Sequence, residues 1–300
     1  MEAEAGVQVL GRPSSLDKSV AGPSPARQFG RRLARKPRAV IGGAVIAAMV
    51  IAAVFAPLVA PSDPTEQNFT NLLKGPSVAH PLGTDELGRD TLTRVIYGAR
   101  VSFQVGIIAV GLSLLVGGFL GLISGYAGGP IDTVIMRIMD GLLAFPALVL
   151  ALAITAMLGP NLRNAMIAIG VTGIPSFARL VRGQVLVIRD LEYVQAAHSL
   201  GAGHARIMLR HVLPNTTAPI IVETSVAIPA AILAEAGLSF LGLGVQPPMP
   251  SWGAMINTAQ GYMQREPWIA IAPGAAILVA VLAFNFLGDA LRDALDPRLK

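Results

Sequence analysis

Two carboxylates, Glu223 and Glu235, stand in an otherwise apolar stretch over residues 214–243, and the amide Asn285 stands in another over residues 267–288. An ionisable group in such surroundings is costly to bury, so each needs a role. Two roles fit: a polar lining for a translocation path, or a hydrogen bond that holds helices together. Both stay open for Glu223, whereas Glu235, near the end of its stretch, reads more as structural. Catalytic chemistry finds little support. The chain has no cysteine, which removes thiol nucleophiles, thiolate zinc sites and cysteine-held iron–sulfur clusters. It has no Gly-x-Ser-x-Gly elbow and no His-Glu-x-x-His pair. It also lacks any Gly-Lys dipeptide, hence a P-loop. His198, His204 and His211 are not spaced as a compact ligand set, so no metal is expected. Arg137 and Asp140, three apart, are expected to pair on one helix face.

The elements that must carry these groups follow from composition. Of 300 residues, 53% are hydrophobic and 14% charged, with a mean hydropathy of +0.61. Soluble domains carry about 25% charged residues, so this chain belongs to the membrane. A bilayer crossing needs about 20 apolar residues. Residues 39–62, 101–131, 141–162, 164–188, 214–243 and 267–288 supply six candidate helices. With the N-terminus inside, seventeen Lys and Arg residues fall in inside segments and six in outside ones. That asymmetry predicts both termini in the cytoplasm.

The net charge of +5 resides wholly in residues 1–38, where eight basic residues face three acidic ones. This Gly-, Pro- and Ser-rich tail lacks apolar periodicity and reads as disordered, with its arginines anchoring the first span at the lipid surface. It has no stacking aromatics beyond Phe29, so nucleic acid is not an expected partner. The predicted organisation is a basic tail (1–38), a first helix with an external amphipathic segment (39–100), a core transmembrane domain (101–290) and a cytoplasmic tail (291–300). Leu87, Leu92, Val95 and Ile96 are expected to form an amphipathic patch lying on the outer surface. In the second span, Ser113, Gly117, Gly121, Gly125 and Gly129 recur every four residues, a groove that lets another helix approach closely, in this chain or a partner.

The stretch from Glu192 to Asn215 is too polar to cross a membrane. Tyr193, Ala196, Ala197 and Leu200 share one face of a short helix. Gly201 and Gly203 break it, and Ala205, Met208, Leu209 and Val212 repeat the spacing before Pro214. Two short helices around a glycine elbow are therefore expected on the cytoplasmic face. The small side chains suit insertion into a partner's groove; the competing reading is an amphipathic helix resting on lipid.

Gln195-Ala196-Ala197, then Gly201, then Leu213-Pro214 resemble the EAA loop of the integral membrane subunits of bacterial ABC importers, with Gln195 where that family usually has Glu. His80-Pro-Leu-Gly-Thr-Asp-Glu-Leu-Gly-Arg-Asp90 looks like the segment after the first helix of peptide permeases. Ala234-Glu-Ala-Gly-Leu-Ser-Phe-Leu-Gly-Leu-Gly244 with Ser251-Trp252-Gly253, and Asn285-Phe-Leu-Gly-Asp289 with Asp296-Pro297-Arg298, look like their fifth and last spans. The chain is thus similar to the second permease subunit of the dipeptide/oligopeptide/nickel family from about residue 39 onward.

The resemblance implies an all-α, multi-pass protein of the bacterial inner membrane with the type I importer permease fold. It implies a coupling loop over residues 189–214 bearing Tyr193, Gln195, Ala196, Ala197, Leu200, Gly201, Arg206, Leu213 and Pro214. Implied partners are a homologous second permease subunit, two ATP-binding subunits that hold ATP and magnesium, and an extracytoplasmic substrate-binding protein. No cofactor is implied for this chain itself. Glu223, Glu235 and Asn285 stand as pathway candidates, and Gly117, Gly121 and Gly125 as packing positions. A nickel permease of the same family is the alternative within the class. A stand-alone secondary transporter is the alternative outside it, and leaves the Ala-Ala…Gly loop unexplained.

Overall fold

The computed structural model describes residue 30 and residues 33–295. The basic tail expected over residues 1–38 and the end of the C-terminal tail fall largely outside these described residues. Among them the secondary structure is helical, with no strand beyond an isolated bridge between Thr84 and Asp90.

Helix α1 (Pro37–Val54) begins with proline, whose missing N–H costs nothing in a first turn. A short α2 (Ala56–Val59) and one 3₁₀ turn (Phe69–Asn71) precede α3 (Thr91–Ala127). The Asp90 side chain caps α3 by accepting from the Thr93 N–H at 2.8 Å, and Gly128, at φ 65°, ends it. Its 37 residues make it about 55 Å long, well beyond a bilayer's hydrocarbon core of about 30 Å. Next come α4 (Gly129–Leu143) and α5 (Ala147–Leu158), then α6 (Leu162–Arg189), capped by the Asn161 side chain. Two short helices, α7 (Glu192–Ser199) and α8 (His204–Ile207), lead through a π turn (Met208–Val212) and a 3₁₀ turn (Leu213–Thr216) into α9 (Thr217–Phe240). The bundle ends with α10 (Trp252–Ala259) and α11 (Trp268–Leu295).

Among the described residues, five helices are long and apolar enough to cross a membrane, and a sixth crossing exists if α4 and α5 count as one bent span. The single straight helix expected over residues 141–162 is corrected here. The chain turns by 90° between α4 and α5. Pro146, which has no N–H to donate, occupies the N-cap of α5, so one helix cannot run through it.

The start of α1 and the end of α11 lie side by side, joined by Lys36 Nζ to Asp293 Oδ2 at 2.7 Å. We call that face proximal and the opposite one distal; helix alternation puts residues 190–216 on the proximal face and residues 60–90 and 241–267 on the distal one.

The most extensive packing is α3 on α6. A Cβ on Gly117 would meet the Ile174 carbonyl oxygen, one on Gly121 the Ala178 carbonyl oxygen, and one on Gly125 would lie 2.8 Å from Val185 Cβ. Only hydrogen side chains permit this backbone approach, and they line it up every fourth residue along one face. Ser113 continues the row, its hydroxyl donating to the Gly170 carbonyl at 2.7 Å. The groove is thus filled by a helix of the same chain.

On the distal side, Arg89 pairs with Asp85 at 2.6 Å and Glu86 at 2.7 Å, and Arg94 reaches Asp85 at 3.3 Å. His80 Nδ1 sits 2.9 Å from Asp90. Burial, and then the neighbouring Asp85 charge, push the Glu86 carboxyl above its ordinary range despite Arg89. Of the four residues expected to form a patch on the outer surface, Leu87 lies in the loop, while Leu92, Val95 and Ile96 lie in the first turns of α3, which begins ten residues before its apolar span; all four are half-buried. Val95 packs with Phe103, Ile232 and the fully buried Trp252, whose indole N–H donates to the Val95 carbonyl at 2.9 Å.

Candidate functional site

Two features concentrate the sequence's candidate residues: the short-helix segment on the proximal face, and a cavity inside the bundle.

Helix α7 is anchored on one side only. Val194 is fully enclosed with Leu122, Val181, Val185, Ile188, Ile207 and Val212. Val185 is also the residue that closes on Gly125, so this anchor continues the α3–α6 seam. The other faces are open. Gln195, Ala196, Leu200, Gly201 and Arg206 are exposed, and Leu200 is 88% exposed. A leucine held so far out at the C-cap of a structured helix is an unpartnered apolar group. Tyr193, half exposed, ties the segment to its end: the Asn215 side chain donates to the Tyr193 hydroxyl at 3.0 Å and to the His211 carbonyl at 2.7 Å. Leu213 is half-buried beneath this knot and Pro214 is exposed. The elbow is real in geometry: Gly201 has φ 80°, a conformation side chains disfavour, with open space around its Cα.

The second apolar face is not the one expected. Ala205 and Leu209 are exposed, while Ile207 and Val212 are buried, five residues apart. The π turn over Met208–Val212 adds a residue to one turn and rotates the phase that a 3.6-residue period assumes. Sequence reading also missed a neighbour. The Tyr126 hydroxyl, at the end of α3, lies 2.9 Å from His204 Nδ1, and the His198 and His204 rings stand 5.7 Å apart.

Ion pairs brace this face from the side of α4. Arg182 grips Asp132 with two bonds, at 2.5 and 2.6 Å, and the Ser124 hydroxyl donates to the same carboxylate. Arg179 reaches Asp140 at 2.6 Å. The expected Arg137–Asp140 pair is therefore replaced, because α4 folds back against α6 and brings a better-placed guanidinium. The available signal was Arg179 and Arg182 themselves, three apart on an apolar helix. Arg189 adds a bond from its guanidinium to the Gly125 carbonyl at 2.7 Å.

The cavity, about 270 Å³, lies between α3, α6 and α9, with Ala147 at the start of α5 also in its wall. Its floor is alanine-rich, and its polar groups are Ser113, Thr172, Ser176 and Glu223. A small number of hydrogen-bonding groups on an apolar wall is the ordinary make-up of a solute site. Of the three pathway candidates only Glu223 lines it. Glu235 is fully buried near the distal end of α9, and Asn285 is exposed on α11. The three are not brought together, because they occupy different faces and depths of their helices.

Comparison with known proteins agrees with this architecture. Residues 117–300 match the family described as "Binding-protein-dependent transport system inner membrane component", and residues 24–76 match the N-terminal transmembrane domain of oligopeptide transport permease C. The chain is 48% identical over 277 residues to the dipeptide transport system permease protein DppC of Alkalihalophilus pseudofirmus, covering 92% of this chain and 91% of that protein. It is 46% identical over 289 residues to the glutathione transport system permease protein GsiD of Pectobacterium atrosepticum, covering 96% and 95%. It is also 46% identical over 290 residues to the di/tripeptide transport system permease protein DppC of Pseudomonas aeruginosa, covering 95% and 96%. The crystal structure of an amino acid ABC transporter shares the fold, with a TM-score of 0.52 at 20% identity over 67% of this chain and 94% of that one. With its apolar helices, exposed proximal segment and these likenesses, the chain belongs to the binding-protein-dependent transport system inner membrane components and is a multi-pass membrane permease of the ABC transporter class.

Proposed function

We propose that this chain is the second-type permease subunit of an ATP-driven importer for short peptides, and that α7 is where a separate ATP-hydrolysing subunit docks. The observation that carries the docking assignment is the exposed face of α7, Ala196 and Leu200 above all, on a helix otherwise fixed by Val194 to the main seam. A force applied to α7 from the proximal side passes through Val194 and Val185 into the backbone contact of α3 with α6. Those are two of the four helices that line the cavity. Closure of a partner would thereby reach the cavity wall without any flexible intermediary.

In this reading the proximal face is cytoplasmic, as the arginine asymmetry predicts, and both termini lie there. The distal segments, residues 60–90 and 241–267, meet a substrate-binding protein. A second, homologous permease completes the pathway, with Glu223 offering its carboxylate to the passing solute. Two ATPase subunits hold ATP and magnesium. The division into a tail, a first helix with its distal lobe, a core of residues 101–290 and a coupling loop of residues 189–214 follows the same logic. Short peptides are favoured as substrate because the relatives named above carry dipeptides, di- and tripeptides, and glutathione in their names.

The test is reconstitution of the chain with a second permease, P-loop ATPases and a binding protein. Expected is ATP-dependent uptake of labelled dipeptide, competed by tripeptides and not by nickel. Uptake that proceeds without ATP would overturn the assignment in favour of a secondary transporter.

A further inference from the structure

Glu235 lies outside the cavity and is fully buried, which makes it the most conspicuous polar group that solute passage does not use. Its Oε1 accepts from the Ser239 hydroxyl at 2.6 Å. Its Oε2 has no hydrogen-bond partner, nor does the buried hydroxyl of Ser102 on α3. The side chains of Ser102 and Ser251 both face the carboxyl. No ion pair reaches it among the described residues, so the groups around it from α3, α9 and the distal loop are all hydroxyls.

Each hydroxyl has a second duty. Ser239 Oγ accepts from the Val245 N–H at 3.1 Å, and Ser251 Oγ accepts from the Ala254 N–H at 3.2 Å, capping α10. The carboxyl is therefore a hub that joins two helices to Val245 within the 241–251 loop and to Ser251 at its end. That loop sits tightly on α9: a Cβ on Gly253 would meet the Ala236 carbonyl oxygen, and one on Gly244 would lie 2.8 Å from Ser239 Cα. Ala231 and Ala234, immediately before Glu235 on α9, line the cavity. The hub is thus the cavity's distal rim.

A carboxylate buried without a cation pays a large desolvation cost, which a proton removes. A proton on Oε2 also gives that oxygen a hydrogen to donate, and the hydroxyl of Ser102, which faces the same carboxyl, is itself buried and unpartnered and can accept it. We propose that Glu235 is a neutral, protonated carboxylic acid that positions the distal loop over the cavity, donating from Oε2 to Ser102 and accepting at Oε1 from Ser239. It is a positioning residue: it touches no solute and sets where the rim stands.

Glu235→Gln, Glu235→Asp and Glu235→Ala distinguish this from the alternatives. Glutamine reproduces a neutral acid, with its carbonyl to Ser239 and its amide N–H to Ser102. Uptake by Glu235→Gln is expected within about twofold of the native chain, while Glu235→Asp and Glu235→Ala lose roughly tenfold or more through unpaired hydroxyls. Infrared difference spectroscopy of the purified chain against Glu235→Gln, at neutral pH, should show a protonated-carboxyl C=O band that the variant lacks. The uptake arm rests on the importer reading; the infrared arm needs no transport, so the two can fail separately. Four results overturn the proposal: no such band; Glu235→Gln falling with Glu235→Ala, or native uptake that requires sodium, either of which marks an ionised carboxylate; or Glu235→Ala transporting at the native rate.

Discussion

The α3–α6 seam and the α7–α8 segment are neighbours built on opposite principles. In the seam, backbone meets backbone at Gly117, Gly121 and Gly125, and every opposing atom is in place. In the segment, one face is anchored by Val194, Ile207 and Val212, and the other shows Leu200 and Leu209 to the surroundings. In the docking role proposed above, the segment would receive displacement on the surface it leaves uncovered, and the closely packed seam would pass it on; the two share Val185.

The largest expected effect comes from breaking the seam. Gly121→Leu puts a branched side chain where the Ala178 backbone lies, which overpacks by about 3 kcal/mol or more. We expect the variant to fail to accumulate in the membrane, measured by quantitative blotting of membrane fractions. Normal abundance would show that the two helices separate more easily than their contact suggests.

Second come changes to the segment that leave the seam alone. Gly201→Trp forces a side chain into a φ of 80°, and Leu200→Glu charges the exposed apolar face. Both should insert at native levels, while uptake in the reconstituted complex falls roughly tenfold or more through loss of a central apolar contact. Unchanged coupling of ATP hydrolysis to uptake would remove α7 from the docking role.

Third, Asp132→Asn keeps the shape of the brace and removes its charge, leaving Arg182 with one weaker bond. A loss of about 1 kcal/mol is expected, read as a modest drop in thermal stability in detergent. The smallest effect concerns Glu86, on the distal side. Its carboxyl titrates above the ordinary value of 4.5, so the folded state holds its proton longer than the unfolded one. Stability should therefore be fully favoured below that ordinary value and decline as pH rises through the raised one. Glu86→Gln should flatten that slope in thermal melts across mildly acidic pH. A slope that steepens instead would mean that Arg89 dominates.

Much of the fold was legible because lipid makes strong demands on sequence. Five of six spans appear as long apolar runs, and the seam appears as small residues at a period of four. The bend at Pro146 was written in the sequence too, yet hydropathy sums over a window and has no sense of direction, so α4 and α5 merged into one expected helix. The π turn escaped for a related reason: a face is deduced by assuming a constant period, and one added residue displaced Leu209 outward and Ile207 inward. The pairing of Asp140 with Arg179 depends on how α4 folds back, which no local spacing contains. Glu223 and Glu235 are acids in one apolar stretch, and only position near its end set Glu235 apart as structural. The surroundings that separate them, a cavity wall for one and a cluster of hydroxyls for the other, are built largely by residues from other elements, Ser113, Thr172 and Ser176 around Glu223 and Ser102 and Ser251 around Glu235.

The bend between α4 and α5 has one more consequence. Helix α5 has 12 residues and spans about 18 Å, while its neighbours could cross a full hydrocarbon layer of about 30 Å. Much of its surface is not covered by the rest of the chain. Around this protein the acyl chains therefore meet a rim with a step in it. Wherever α5 faces lipid, the two leaflets must draw together beside it, so membrane thickness itself acts on this side of the bundle.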